Sequence, residues 1–305
     1  MIKFFALIVL LFVYPTQQKN KKLLLLAEQS QHRIAIADVD KQQIIWEWRA
    51  ASSPFIKPAH KKWFDHPDDV KPVYDGKYIL ITASGGGVAL VRIADKKPVF
   101  YAYAGGNPHS AEVLPDGNIV SASSTGNFLT LFTVDTTVDA EQVKKNKMYV
   151  AFGHNVVWDA KNELLWTAAM DHMLSYRYNN NCDDPALIRQ DSIQLPGTDA
   201  HDLFPGYGTR QLWLTNTTNV YRFDVATKKV LTAEVPQKNI KSVSSGPAGF
   251  PTIMILPKER WWTDEVTDTK GQTVFQQSGL KIYKARWLLK NHFSYPQRHG
   301  FVQCR

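Results

Sequence analysis

Three histidines recur at near-constant spacing, and each opens a short apolar segment. His109 begins His-Ser-Ala-Glu-Val, His154 begins His-Asn-Val-Val-Trp and His201 begins His-Asp-Leu-Phe, at intervals of 45 and 47 residues. Imidazole is a frequent metal ligand and general base near neutral pH. Three imidazoles brought to one point would make a three-nitrogen site with an open position, suited to one divalent ion such as manganese, zinc or calcium. The same column holds Asp69, 40 residues before His109, and Lys241, 40 residues after His201. A metal there would polarise a bound carboxylate as a Lewis acid, and Lys241 is the nearest base to take the neighbouring proton. Without metal, His109 is the candidate catalytic side chain.

For these side chains to meet, the segments they open must be equivalent parts of a repeat. The sequence has one. Short apolar runs separated by polar turns fall into sets: 22–28, 33–38 and 44–48; 70–74, 78–83, 87–93 and 99–103; 110–114, 118–123, 128–134 and 148–152; 155–158, 164–168, 173–178 and 191–195; 202–204, 211–215, 220–225 and 230–235. Ile-Leu-Ile-Thr-Ala-Ser (79–84), Ile-Val-Ser-Ala-Ser-Ser (119–124), Leu-Leu-Trp-Thr-Ala-Ala (164–169) and Leu-Trp-Leu-Thr-Asn-Thr (212–217) are one strand seen four times. Asp116-Gly117 lies between two such runs and reads as a two-residue hairpin turn with positive φ at both positions. Four strands per 40–47 residues is the pattern of a β-propeller blade. The predicted fold is therefore all-β: a WD40- or quinoprotein-like propeller of four-stranded antiparallel blades, six in number, with seven the alternative. The final set decides the count. Segments 240–245 and 252–256 read as its first two strands and 279–287 as its third, with 261–266 and 273–277 inserted between them. The chain starts on what reads as a second strand, so the innermost strand of the first blade should come from the C-terminus, where 299–303 is the candidate.

In such a ring the first strands start on one face, and the loops joining second to third strands open on the same face. Those loops are short and polar: 29–32, 84–87, 123–127, 170–172 and 216–219. They nominate Gly86, Thr125, Asn127, His172, Asn216 and Asn219, with Asp69, as binding residues for a sugar or another polyhydroxylated ligand. Turns are polar for local reasons too, and a histidine near a first strand can instead brace the next blade. Trp261-Trp262 and Asp264-Glu265 could supply a stacking platform and carboxylates, but they read more simply as packing and a turn. Gly85-Gly86-Gly87 is no phosphate cradle, since no helix follows it.

Residues 1–18 combine one lysine, an apolar run over 4–14 and a polar exit, the pattern of a secretory leader. The run is too short to span a bilayer, which takes about 20 residues, and no cysteine follows it to carry a lipid. A buried N-terminal strand is the competing reading. Residues 19–290 then form one propeller domain and 291–305 a C-terminal tail. Cys182 and Cys304 could make one disulfide, which is no disulfide framework. The formal charge is +8, with pairs at Lys96-Lys97, Lys144-Lys145 and Lys228-Lys229. These suit solvated turns, or attraction to an acidic polymer. Nucleic acid is not an expected partner, because no basic-aromatic motif is present.

Trp46-Glu47-Trp48, the runs 83–88 and 105–124, and Lys-Ile-Tyr-Lys-Ala-Arg-Trp (281–287) together resemble an uncharacterised family of secreted β-propellers of the Bacteroidetes type. The resemblance covers most of 22–287, leaves 288–305 without a counterpart, and implies a fold and an exported address only. His109-Ser110-Ala111 with Leu114 to Asn118, and Ile45 to Trp48, look like the histidine-bearing strand of arylsulfotransferase propellers, in which His109 would accept the sulfuryl group. The histidine column is similar to that of oligogalacturonate lyase propellers, which implies that His109, His154 and His201 hold a divalent metal against a uronate. The glutamine that completes that ligand set has no secure match here. The resulting expectation is a secreted or periplasmic monomer that recognises carbohydrate, anionic in kind, at a histidine-lined face, as a metal-dependent lyase or as a binder. The alternative is a non-catalytic scaffold propeller that engages envelope proteins.

Overall fold

The second strand of each repeat is built of apolar residues and small hydroxyl residues with little charge, a pattern that suits neighbours on both sides. A computed structural model, which describes residues 21–233, 235–297 and 300–304, supplies them. Six four-stranded antiparallel sheets form six blades around an axis. Blade 2 runs Pro67–Val73, Tyr78–Ala83, Gly87–Arg92 and Pro98–Tyr103, from the axis outward. Blades 3, 4 and 5 begin with Pro108–Val113, Val157–Asp159 and Asp202–Pro205. The core is correspondingly divided into six clusters, one between each pair of adjacent blades. Leu24 and Leu26 face blade 6, whereas Leu25 and Ala27 face blade 2. The leader read at 1–18 lies outside the described residues.

The six-blade count holds, but the last repeat is built differently from the expectation. Blade 6 consists of Ser242–Ser244, Ile253–Ile255, Glu265–Asp268 and Thr273–Gln276, so the supposed insertion supplies its third and fourth strands. The strand Ile282–Trp287 belongs to blade 1 instead. It pairs antiparallel with Leu23–Glu28 and closes the ring as the innermost strand. Closure from the C-terminal end is therefore correct, but not through 299–303. His299 is outside the described residues, and Gly300 to Gln303 form no strand. Phe301 packs there against Tyr74 and Tyr78. The outer strands of blades 3 and 4, Lys145–Tyr149 and Leu187–Gln194, begin earlier than expected, because their exposed residues carry no apolar pattern.

The Asp116-Gly117 hairpin forms with positive φ at Gly117 alone, 91°. Leu114 donates to Asn118 O (2.8 Å) and Gly117 donates to Leu114 O (2.9 Å), which makes a longer turn than the two-residue type. A Cβ at Gly117 would stand 2.1 Å from the carbonyl oxygen of Val302 in the tail. Cys182 and Cys304 are bonded and tie that tail to blade 4.

Alternate residues of the innermost strands point at the axis, and there they carry charge. Arg286 donates to both oxygens of Asp202 (2.7 and 2.5 Å) and to Asp69 (3.3 Å). Lys284 lies 3.3 Å from Asp202, and Lys71 bridges Glu112 (3.2 Å) and the carbonyl of Val156 (2.6 Å). Glu112 also accepts from Tyr295 of the tail. These three cations and three carboxylates are buried. They fill the channel as a paired polar plug, which gives the ring a floor.

Candidate ligand site on the histidine face

Above this floor lies a cavity of about 420 Å³, lined by His109, His154, His201 and Lys241 from four consecutive blades. Its size falls within the range of roughly 300–1,000 Å³ typical of small-ligand sites. Gln29, His66, Asp68, Ser84, Asn107, Trp261 and Tyr283 complete the wall. The cavity thus brings together the three-histidine column and Lys241, as the spacing of the repeat implied. On the opposite face, a cavity of about 320 Å³ lies between blades 5 and 6 and the tail. Its Arg210 is already engaged by Asp159 (2.6 and 2.8 Å), which leaves that site without an uncompensated charge of comparable placement.

The imidazoles form an arc. Ring centroids are 4.5 Å apart for His109 and His154 and 5.1 Å for His154 and His201. His109 Nδ1 bonds Asn107 O (3.0 Å) and His154 Nδ1 bonds Phe152 O (3.1 Å). A carbonyl can only accept, so both Nδ1 atoms carry the proton and Nε2 keeps the lone pair. His201 Nδ1 is buried with no hydrogen-bond partner among the described residues. Burial first, then nearby lysines and the neighbouring imidazoles, keeps all three uncharged. His154 is lowered to about 3 and His201 to about 2, and His109 falls well below the usual histidine value. Ions of the zinc type hold nitrogens at 2.0–2.1 Å and therefore roughly 3.3 Å from one another. Among the described residues, the one set of three potential ligands with all donor atoms within 4.8 Å is Asp116, Cys182 and Cys304, whose sulfurs are bonded to each other. As placed, the three histidines do not gather around a single ion.

Lys241 is half-buried at the cavity wall. Burial, then repulsion from Lys284, lowers its pKa to about 8, and the Asp199 charge opposes this only in part. No carboxylate of the described residues lies within ion-pair distance of it. Facing it, Asp68 accepts from Ser84 Oγ (3.0 and 2.8 Å) and from Gln29 Nε2 (3.3 Å). Burial raises the Asp68 carboxyl well above its ordinary value. Gln29 Oε1 accepts from Trp261 Nε1 (3.2 Å), which fixes an indole that is 44% exposed at the lip. Asp264 and Glu265 turn away to Lys258 (2.9 and 3.1 Å), so only the aromatic half of that segment reaches the site.

Asp69 is not in the wall. Its strand and that of His109 each carry a bulge: Pro67 pairs with Ala83 and Asp69 with Thr82, and Pro108 pairs with Ser123 and Ser110 with Ala122. The extra residues are Asp68 and His109, equivalent to one another and turned to the cavity. Asp69 instead joins the plug. Burial alone would raise its pKa, but Arg286, Lys284 and Lys71 outweigh that and hold it at about 2. The loop residues nominated as binders also lie outside the cavity lining. Asn216 accepts from the backbone of Thr218 and Asn219 (3.0 and 2.9 Å) and donates to Pro196 O (2.8 Å). Asn219 donates to Tyr221 Oη (3.0 Å), and Asn127 accepts from Phe152 N (2.9 Å). Thr125 donates to Gly106 O (3.3 Å), and Gly86 lies under the ring of Tyr103. His172 pairs with Asp171 (2.7 Å) in an outer groove. These groups fold turns and join blades.

Solved structures with the same architecture include a protein of unknown function from Bacteroides caccae. It is 15% identical, covers 88% of this chain and 98% of its own, and has a TM-score of 0.57. The β-propeller domain of Cps50 (Swd1) from Myceliophteria thermophila is 11% identical over 87% of this chain and 88% of its own, with a TM-score of 0.54. Virginiamycin B lyase from Staphylococcus aureus is 12% identical over 87% and 81%, with a TM-score of 0.53. At such identities the likeness establishes the fold alone. Among curated proteins none matches the sequence. The model described as a family of unknown function (DUF6528) matches residues 14–305, and the chain belongs to that family.

Proposed function

From membership in a family with no assigned activity, and from the chemistry of the cavity, we propose that this propeller binds an anionic carbohydrate, a uronate in particular, on its histidine face. The observation that carries the reading is Lys241, a cation with no carboxylate of the described residues within ion-pair distance, beside three uncharged imidazoles in a cavity whose own carboxyl, Asp68, is held by Ser84 and Gln29. A ligand carboxylate would supply the missing partner. The Nε2 lone pairs of His109 and His154 would accept hydroxyl protons, and Trp261 would stack on an apolar sugar face. The Cys182–Cys304 bond supports an exported address, since disulfides persist in oxidising compartments.

A second reading, cleavage of the uronate by elimination, is favoured by the pKa of about 8 at Lys241, close to that of an effective general base at neutral pH. In that case the free amine would take the proton on the carbon beside the carboxylate, that electron pair would form the double bond to the next carbon, and the glycosidic oxygen would leave from that carbon and take a proton from water. The divalent ion expected from the histidine spacing would require the rings to move inward. Elemental analysis beside a His109/His154/His201 triple-alanine variant tests for it.

Isothermal titration with trigalacturonate and with neutral trisaccharides tests the binding reading. The acid should bind at least tenfold tighter, Lys241→Met should remove most of that difference, and Trp261→Ala should weaken all sugars about three- to tenfold. Equal affinity for acidic and neutral sugars, or no effect of Lys241→Met, would overturn it.

A further inference from the structure

The edge strand Lys145–Tyr149 of blade 3 carries two exposed lysines, and a third, Lys144, precedes it. Alternation puts Lys145, Lys147 and Tyr149 on one face. On the other side Asn146 is bonded to Pro185 O (3.3 Å), and Met148 and Leu187 both pack against the core between blades 3 and 4. No carboxylate of the described residues pairs with Lys144, Lys145 or Lys147. By contrast, Lys228 of another basic pair is held by Asp191 (2.8 Å), and the groove at Lys96 contains Glu47 and Asp95.

Aromatic surface is interleaved with this charge. Lys147 Nζ stands 3.8 Å over the ring of Phe128, Lys145 donates to Tyr103 O (2.7 Å), and Tyr149 and Tyr103 are 79% and 41% exposed. Lysines on an edge strand commonly guard against pairing with another sheet. That role does not call for two exposed tyrosines beside them. The patch is also joined to the cavity. Tyr149 lies opposite Phe128 in register, and the adjoining Asn127 bonds the backbone of Phe152, whose ring lies 4.0 Å from that of His154.

We propose that the Lys145–Tyr149 face, with Tyr103 and Phe128, is a second binding surface that holds an outer stretch of the same anionic polysaccharide whose end occupies the histidine cavity. The inference rests on the binding reading above and adds that the ligand is a polymer. Repeating carboxylates would pair with Lys145 and Lys147, and sugar faces would lie on Tyr149 and Tyr103. Burial, and after it repulsion from Lys145, lowers the pKa of Lys147, and such a ligand would relieve the repulsion.

Polygalacturonate and trigalacturonate, each titrated at low salt, form the test. The proteins are the full chain, a Lys145→Gln/Lys147→Gln variant and Lys241→Met. Loss of an exposed charge pair weakens binding about threefold, so the double variant should bind the polymer about tenfold more weakly. It should bind the trisaccharide as before, with its thermal midpoint unchanged. Lys241→Met should weaken both ligands. A double variant that holds the polymer as tightly as the parent overturns the proposal and leaves the lysines as edge guards. Polymer binding that depends on Lys145 and Lys147, with no trisaccharide binding and no effect of Lys241→Met, would retain the surface and refute the cavity. Failure of the parent to bind either ligand refutes both.

Discussion

The pH profile of uronate binding follows from the way the cavity is charged. Among the described residues that line the cavity, Lys241 is the one cation available to a carboxylate, and burial with the nearby Lys284 lowers its pKa to about 8. A bound carboxylate requires the protonated amine. About nine-tenths of the lysine is protonated at pH 7 and about one-tenth at pH 9, so affinity should fall about tenfold between them. The imidazoles contribute nothing across this window, since His154 and His201 titrate at about 3 and about 2. Asp68 faces the same cavity with a raised pKa. Its deprotonation adds negative charge as pH rises and pushes affinity in the same direction. Two variants separate these contributions. In Lys241→Met, affinity at pH 7 should drop about tenfold or more, the worth of a charge-assisted hydrogen bond, and the decline from pH 7 to 9 should shrink to the part that Asp68 contributes, disappearing in the Lys241→Met/Asp68→Asn double variant. In Asp68→Asn, that decline should persist. Isothermal titration with trigalacturonate, which stays ionised throughout, reads both. A profile flat from pH 7 to 9, or a decline that survives in the Lys241→Met/Asp68→Asn double variant, would refute the assignment. A gain from pH 7 to 5 that survives Asp68→Asn would mean that the imidazoles are charged.

Three stability predictions follow from the floor and the tail. Arg286→Met leaves Asp69 and Asp202 buried without their main cation and should cost about 3–5 kcal/mol in urea unfolding; a loss below about 1 kcal/mol would contradict the paired plug. Replacing Cys182 and Cys304 with serine should cost about 2–4 kcal/mol against the oxidised parent, measured the same way, with dithiothreitol-treated parent expected to match the variant. Gly117→Ala, which combines a left-handed φ with a Cβ 2.1 Å from the Val302 oxygen, should lower stability by at least about 1 kcal/mol, whereas an unchanged midpoint would show that the tail yields freely.

The blade repeat is legible because the second strands are buried on both faces, so runs such as 79–84, 119–124 and 164–169 contain only apolar residues and the small hydroxyl residues serine and threonine. The closing strand was misplaced for the opposite reason. In Ile282–Trp287, Lys284 and Arg286 alternate with Tyr283, Ala285 and Trp287, which reads locally as a half-exposed strand. Only the assembled ring, with Asp69 and Asp202 at its axis, makes those cations interior. The histidine column and Lys241 were visible because four blades repeat one geometry. The exchange of Asp68 for Asp69 was not, because a bulge leaves no mark in composition yet turns a neighbouring side chain to the other face. Asn216, Asn219 and Asn127 were nominated from polarity, but the demands of tight turns account for their hydrogen bonds. Gln29 and Ser84 sat in loops already singled out, and what distinguishes them is contact with Asp68 across a blade boundary, a long-range fact.

The most direct test of ligand recognition at the histidine face is a crystal structure of the full chain with trigalacturonate. The prediction is a carboxylate within hydrogen-bonding distance of Lys241 Nζ, hydroxyls on His109 and His154 Nε2, and a sugar ring against Trp261. An empty cavity with ligand bound elsewhere, or a sugar that leaves Lys241 without contact, would contradict it.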